Sequence, residues 1–150
     1  IIHQFPNSTW VESTAVRSSV RLLVTIATAP ELYPISPASS KTSTLLHTFA
    51  PFIAILGITE TQPDRFYVIA GSLSLTPPID PGLGTYTIYS VDLQNFNSIT
   101  TTGASIQEVM ALTSAVLLNG MGTLSSSSGL IIAADSADGA IYLVDTQTGN

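Results

Sequence analysis

The chain has 150 residues, of which 45% are hydrophobic and only 9% are charged, and its formal net charge is −6. This length is enough for one domain with a buried core. Four basic residues scattered along an acidic chain do not form a stripe that neutralises phosphates, so we expect no nucleic-acid partner. No apolar run approaches the roughly 18 residues that span a bilayer, so we expect no membrane span. The lack of cysteine excludes disulfides and thiolate metal sites.

Short runs rich in Val, Ile, Leu, Tyr and Thr recur between clusters of Gly, Pro, Ser, Asp and Asn, which is typical of an all-β fold. In chain order these runs predict strands at residues 1–6, 11–17, 21–25, 31–35, 45–51, 56–60, 65–71, 86–92, 118–124, 129–135 and 139–145. A further strand is expected to end the second unit before residue 110. The prediction is therefore twelve strands with almost no helix.

The predicted strands form an internal repeat. Residues 21–25, 65–71 and 129–135 align with one another, and so do the strands that follow them. Residues 1–6 match residues 45–51, which predicts that both are the outer strand of a unit. Each unit then has four strands, labelled A to D from the inside outwards, in the order D-ABCD-ABCD-ABC. Four-stranded units of roughly 45 to 60 residues are typical of β-propeller blades.

The repeat also predicts how the chain is divided. Residues 1–6 would be the outer strand of a preceding blade, 10–51 and 56–110 would be blades, and 116–150 an incomplete blade. Three blades do not close a propeller, and residue 150 falls in the turn where an outer strand should begin. We therefore expect one domain that is about half of a six-bladed propeller, with the remaining half as its partner.

Five short motifs carry a resemblance to a known family: Trp10-Val11-Glu12, Leu22-Leu23-Val24-Thr25, Arg65-Phe66-Tyr67-Val68-Ile69-Ala70-Gly71, Leu118-Asn119-Gly120-Met121 and Ala134-Asp135-Ser136. They resemble the six-bladed propellers of the gluconolactonase and luciferin-regenerating-enzyme group, and more narrowly a secreted fungal branch of it. That branch includes the hetero-Diels–Alderases of tropolone–sesquiterpenoid pathways, which join an o-quinone methide to a terpene alkene. The resemblance implies a secreted or vesicular enzyme of fungal secondary metabolism with small apolar substrates and no cofactor.

The same resemblance implies an alternative with a metal. Hydrolase members of the group hold one divalent cation at the axis, bound in part by a Glu and an Asn at the starts of A strands. Glu12 and Asn119 fall on those positions. A further Asn is missing, because the intervening strand reads Leu56-Gly57-Ile58, and an Asp ligand would lie beyond Asn150. The alternative function is thus a lactonase with Ca²⁺ or a similar cation.

Propeller geometry selects the candidate site residues, because A-strand starts and B–C loops converge on one face. These are Glu12 and Asn119 as catalytic residues, and Trp10, Gly57, Met121, Asp135 and Ser136 as substrate-binding residues. The B–C loop at residues 72–85 is long enough to be a functional lid. Structural interpretations stay open: a turn at Asn119, packing by Trp10, a solvated strand end at Glu12 and a loop cap at Asp135.

The remaining motifs separate structure from function. His3 and His47 occupy equivalent outer positions, so we expect both to be structural rather than catalytic bases. Asn7-Ser8-Thr9 is a glycosylation sequon at Asn7, consistent with a secreted protein.

Three functions remain: a pericyclase, which we prefer, a metal-dependent lactonase, and a propeller that binds without catalysis. Metal content and its dependence on Glu12 would separate the first two.

Overall fold

The computed structural model describes residues 1–19, 21–37, 43–98 and 100–149. The described residues contain eleven β-strands and no helix, which confirms the all-β prediction. The strands are β1 Val11–Val16, β2 Leu22–Ile26, β3 Glu31–Ile35, β4 His47–Thr48, β5 Ala54–Gln62, β6 Arg65–Gly71, β7 Tyr86–Asp92, β8 Ser105–Leu112, β9 Leu118–Ser125, β10 Leu130–Asp135 and β11 Ala140–Asp145. No helix in the described part of the chain is long and apolar enough to cross a membrane.

The strands form three antiparallel sheets, each built from consecutive strands. Sheet 1 has the order β1-β2-β3-β4, sheet 2 has β5-β6-β7-β8, and sheet 3 has β9-β10-β11. Residues 1–6, predicted as a strand, lie outside the strands of the described structure, because no third strand of a sheet lies beside them to pair with. Asn150, where the predicted third unit breaks off, lies outside the described residues.

Side chains alternate between the two faces of each sheet, as the pleat requires. We call the face toward the next sheet in the chain the front face and the opposite one the back face. Between sheets 1 and 2, the front-face residues Leu23 and Leu32 share a core with the back-face residues Phe66, Val68 and Val91. Between sheets 2 and 3, the core comprises Tyr67, Ile69 and Ile88 from sheet 2 and Ile131, Ala133 and Val144 from sheet 3.

The third sheet is one residue out of step with the sequence alignment. Aligning residues 129–135 with 65–71 matches Ile131 to Tyr67. In the structure Tyr67 faces sheet 3 from sheet 2, whereas Ile131 is on the sheet 3 face that meets it. Leu130 pairs with Asp145 as Arg65 pairs with Asp92, so the structural counterpart of Tyr67 is Ile132. A shift of one residue exchanges the faces of a strand, and this part of the predicted alignment was wrong.

The repeat extends to individual ring contacts. His3 packs edge-on against Phe5 and His47 against Phe49, in both cases with centroids 4.6 Å apart and planes at 82°. Phe5 then contacts the third strand of sheet 1 at Tyr33, over 5.2 Å, and Phe49 makes the same contact in sheet 2 at 5.3 Å. Residues 1–5 therefore pack on sheet 1 as the segment around β4 packs on sheet 2. Burial lowers the pKa of His47, so its ring favours the neutral form.

A buried ion pair joins the turn after β1 in sheet 1 to the turn between β5 and β6 in sheet 2. The Arg17 Nε donates to Asp64 Oδ1 over 2.7 Å, and its Nη2 donates to the carbonyl of Leu93 over 3.2 Å. The same guanidinium lies 5.5 Å from the ring centroid of Phe96. Only 6% of the Arg17 side chain is exposed, against 40% for Arg65 in the more open pair with Asp92.

We expect Arg17→Met to lower the free energy of unfolding by about 3–5 kcal/mol, because it leaves Asp64 largely buried without its partner. Arg65→Met is the matched control and should cost at most about 1 kcal/mol, since its pair is exposed. Chemical denaturation followed by circular dichroism measures both. Equal losses would contradict this account of Arg17.

Candidate functional site

The innermost strands of the three sheets lie side by side, with β5 between β1 and β9. Each of these strands has an irregularity in its ladder near its beginning. The ladder shifts between Val11 and Thr14 in β1, between Ile55 and Ile58 in β5, and beside Asn119 in β9. Bulges re-aim side chains and are frequent next to active sites. The three irregularities fall at nearly the same level and contain Glu12, Gly57 and Asn119, residues that the sequence singled out.

A buried threonine joins the first two irregularities. The Thr25 hydroxyl accepts from the Ser13 N–H over 3.0 Å and donates to the carbonyl of Leu56 over 2.6 Å. Thr25 is fully buried, so this hydroxyl serves both strands in the absence of competing solvent. Ser13 follows Glu12 directly, so the backbone beside the predicted catalytic carboxylate is fixed.

The second and third inner strands touch through a glycine. A Cβ added to Gly57 would lie 2.3 Å from the carbonyl oxygen of Asn119 and 3.0 Å from the Cβ of Met121. Any side chain at this position would therefore push β9 away from β5. Gly57 is buried and Met121 packs against the core, so the structure places both predicted substrate-binding residues within this strand contact. Farther along, the Thr123 hydroxyl donates to the carbonyl of Glu60 over 2.8 Å.

Asp135 anchors the chain that enters β9. Its carboxylate accepts from the N–H groups of Val116 at 2.7 Å and Leu117 at 3.0 Å, and from those of residues 137 and 138 at 3.2 and 3.1 Å. Burial opposes ionisation of this carboxyl, but the four donors outweigh burial and lower its pKa. Ser136 donates its own N–H to the carbonyl of Leu117. These contacts give Asp135 the role of a cap.

Trp10 lines an open cavity of about 490 Å³ at the start of β1. The other lining residues are Ser8, Thr9, Val11, Thr28 and Leu75. The backbone N–H of Trp10 donates to the hydroxyl of Thr28 over 3.1 Å, while 55% of the residue remains exposed. The volume lies in the range of small-molecule sites. Sequence reasoning missed Thr28 and Leu75, although the length of the loop that carries Leu75 was a signal.

The long loop at residues 72–85 is ordered by its own polar groups. Ser74 and Asp80 form an antiparallel bridge, and the Asp80 carboxylate accepts from the Gly82 N–H over 2.9 Å. The Tyr86 hydroxyl donates to the carbonyl of Pro81. Burial, with smaller contributions from Asp135 and Asp80, raises the pKa of Tyr86 to about 12, so the hydroxyl keeps its proton at neutral pH. These hydrogen bonds therefore fix the course of the loop that brings Leu75 to the cavity beside Trp10.

The other predicted positions lie outside this cavity. Asn7 is exposed in a turn where the Thr9 N–H donates to the carbonyl of Pro6. Glu12 and Asn119 are half-buried on β1 and β9. The described residues contain no group of three or more His, Cys, Asp or Glu side chains that could hold a metal ion.

Comparison with known proteins gives one relevant similarity. The chain is 26% identical, over 171 aligned positions that cover 99% of its length, to a Phoma species protein named "Putative hetero-Diels-Alderase". The chain spans 47% of that relative, which is less than half of its length. No protein-family model matches the chain.

The anchor at Asp135 predicts acid sensitivity. Its pKa is lower in the folded than in the unfolded state, so its stabilising effect is complete above the unfolded value of about 3.9 and is lost as the pH falls toward the folded value. We expect Asp135→Asn to lower stability at neutral pH and to flatten the loss of stability below about pH 4. Urea denaturation across this pH range measures both. Asp138→Asn, at an exposed position in the same turn, should retain the parent's pH profile.

Proposed function

We propose that this chain is part of a six-bladed β-propeller that acts as a pericyclase, joining an o-quinone methide to a terpene alkene. The observation that carries the proposal is the similarity, along almost the whole chain, to the Phoma protein that is named a hetero-Diels–Alderase. The stack of three antiparallel sheets with their first strands in contact supports the propeller, because blades surround an axis with their innermost strands. The remaining blades would complete the axial pocket.

The proposed reaction needs orientation more than acid–base chemistry. A cycloaddition forms its bonds without a covalent enzyme adduct and without net proton transfer. Holding diene and alkene in near-attack geometry can supply about 7–11 kcal/mol of the barrier in favourable cases. Trp10 and Leu75 offer an apolar wall for the terpene. We assign the Asn119 amide and Glu12 to hydrogen bonding and orientation of the polar partner, since both project from irregular strand positions at one level.

The direct test combines the protein with a quinone methide released from a stable precursor and a sesquiterpene alkene. We expect the adduct to form faster than in buffer and with one stereoisomer in excess, as measured by chiral chromatography and mass spectrometry. Adduct that forms at the buffer rate without stereochemical preference would contradict the proposal.

Trp10→Ala should lower kcat/KM for this cycloaddition about tenfold, which corresponds to about 1.4 kcal/mol of transition-state stabilisation. The reason is that Trp10 is the large exposed aromatic wall of the cavity. Val16→Ala is the control, since Val16 is similarly exposed, at 59%, at the opposite end of β1. Equal rates for the two variants would remove Trp10 from the substrate site.

A metal-dependent lactonase is the second candidate. It is favoured by the placement of two oxygen donors, Glu12 and Asn119, at irregular positions of the inner strands. Hard cations such as Ca²⁺ take six to eight oxygen ligands. The intervening strand contributes Gly57, which has no donor side chain, and the backbone of Asn119 fills the space beside it. The two side-chain donors on the inner strands therefore do not fit a calcium site.

Glu12→Gln separates the two candidates. For a pericyclase we expect the variant and the parent to show the same calcium titration by calorimetry, while the KM of the cycloaddition changes. Glu108→Gln, at an exposed position on β8, is the control for loss of a carboxylate. One equivalent of calcium bound by the parent and by Glu108→Gln but lost in Glu12→Gln would favour the lactonase.

A further inference from the structure

The stack of sheets ends in two apolar faces that no other sheet of the described structure covers, although residues 1–5 cover part of the one on sheet 1. On the back face of sheet 1, a groove of about 420 Å³ is lined by Ile1, Ile2, His3, Phe5, Val11, Thr14, Leu22, Val24 and Ile35. On the front face of sheet 3, Ile141 is 73% and Leu143 57% exposed. Contiguous exposed apolar patches mark interaction surfaces. The two faces are on opposite sides of the stack.

The repeat shows what kind of surface covers the back face of sheet 1. Val24 pairs with Tyr33 in sheet 1 as Val68 pairs with Tyr89 in sheet 2. In sheet 2, Val68 is fully buried under the front face of sheet 1, where Leu23 packs against the same cluster. The groove on the back face of sheet 1 is thus built like the back face of sheet 2, which sheet 1 covers.

The chain itself carries the complementary surface. On the front face of sheet 2, Ile69 pairs with Ile88, and both are fully buried against sheet 3. The equivalent pair on sheet 3 is Ala134 with Ile141, and Ile141 is 73% exposed because no sheet covers this front face. The front faces of sheets 1 and 2 pack against the back faces of sheets 2 and 3. By the same repeat, the front face of sheet 3 fits the back face of sheet 1.

Residues 1–5 fit the free edge of sheet 3. In sheet 1 the outer strand places His47 opposite Leu32. His3 reproduces the ring geometry of His47 but pairs with no strand in the described structure, and Ile141 on β11 occupies the position of Leu32 on β3. β11 is an edge strand because sheet 3 has three strands. Edge strands readily take an added strand from another chain.

We propose that the front face of sheet 3 binds the back face of sheet 1 of a second copy of this chain, with residues 1–5 of that copy added to β11. In a two-fold dimer both such contacts form and close a ring of six sheets. The Phoma relative is about twice as long as this chain, so two copies supply about as much polypeptide as one relative. The proposed interface does not depend on the proposed reaction, because a dimer that does not catalyse the cycloaddition would still support the interface.

Native mass spectrometry and light scattering test the proposal on the whole chain. We expect a species of twice the 15.7 kDa chain mass. Ile141→Asp should convert it to a monomer with an unchanged circular dichroism spectrum, because Ile141 contacts little within one chain. Ile79→Asp is the matched control, since Ile79 is 68% exposed on the long loop and should leave the dimer intact. A parent chain that stays monomeric, or equal effects of the two variants, would overturn the proposal.

Cysteine trapping tests the register, and the chain has no cysteine of its own. His3→Cys combined with Ile141→Cys should give a disulfide-linked dimer on mild oxidation, because directly opposed residues in a ladder are within bridging distance. His3→Cys combined with Leu143→Cys places the thiols two positions apart and should link far less. Equal linkage of the two pairs would refute the added strand even if a dimer forms.

Discussion

The architecture depends on the close approach of the three innermost strands. Gly57 allows the backbone of β9 to lie against β5, and the buried Thr25 hydroxyl joins β1 to β5. Both contacts require small or precisely placed groups because they involve backbone carbonyls, which cannot move aside as a flexible side chain can. A larger residue at position 57 would separate sheets 2 and 3 along their whole length. The spacing of the candidate site is set by this contact rather than by the loops above it.

The strand positions followed from the sequence because alternating apolar residues and turn residues determine strands locally. The register of sheet 3 did not follow. Gly129 lies in the turn before β10 with a positive φ, as Asp64 does before β6. Leu130 rather than Gly129 therefore corresponds to Arg65, and the alternation of residues 129–135 does not reveal this offset. The match of residues 1–6 to 45–51 was informative about packing, as the paired ring contacts show, but strand formation also needs a neighbouring strand.

The candidate site was predictable only in part. The level of Glu12 and Asn119 on their strands followed from the repeat, since equivalent positions of a repeat lie at equivalent heights. The cavity beside Trp10 did not follow, because Leu75 reaches it through a loop whose course depends on Asp80 and Tyr86. Likewise, the four donors to Asp135 come from segments that only the fold brings together. Contacts between distant segments set these features.

The stacking order has a consequence for how one chain loses its structure. In a single copy, sheet 2 packs against another sheet on both faces, whereas sheets 1 and 3 each pack against another sheet on one face only. In a linear array with nearest-neighbour contacts, a terminal unit gives up one interface on opening and a central unit gives up two. Amide hydrogen exchange would therefore be slowest in the central strands β6 and β7. Local stability in this chain is graded by position in the stack, even where the strand sequences are closely alike.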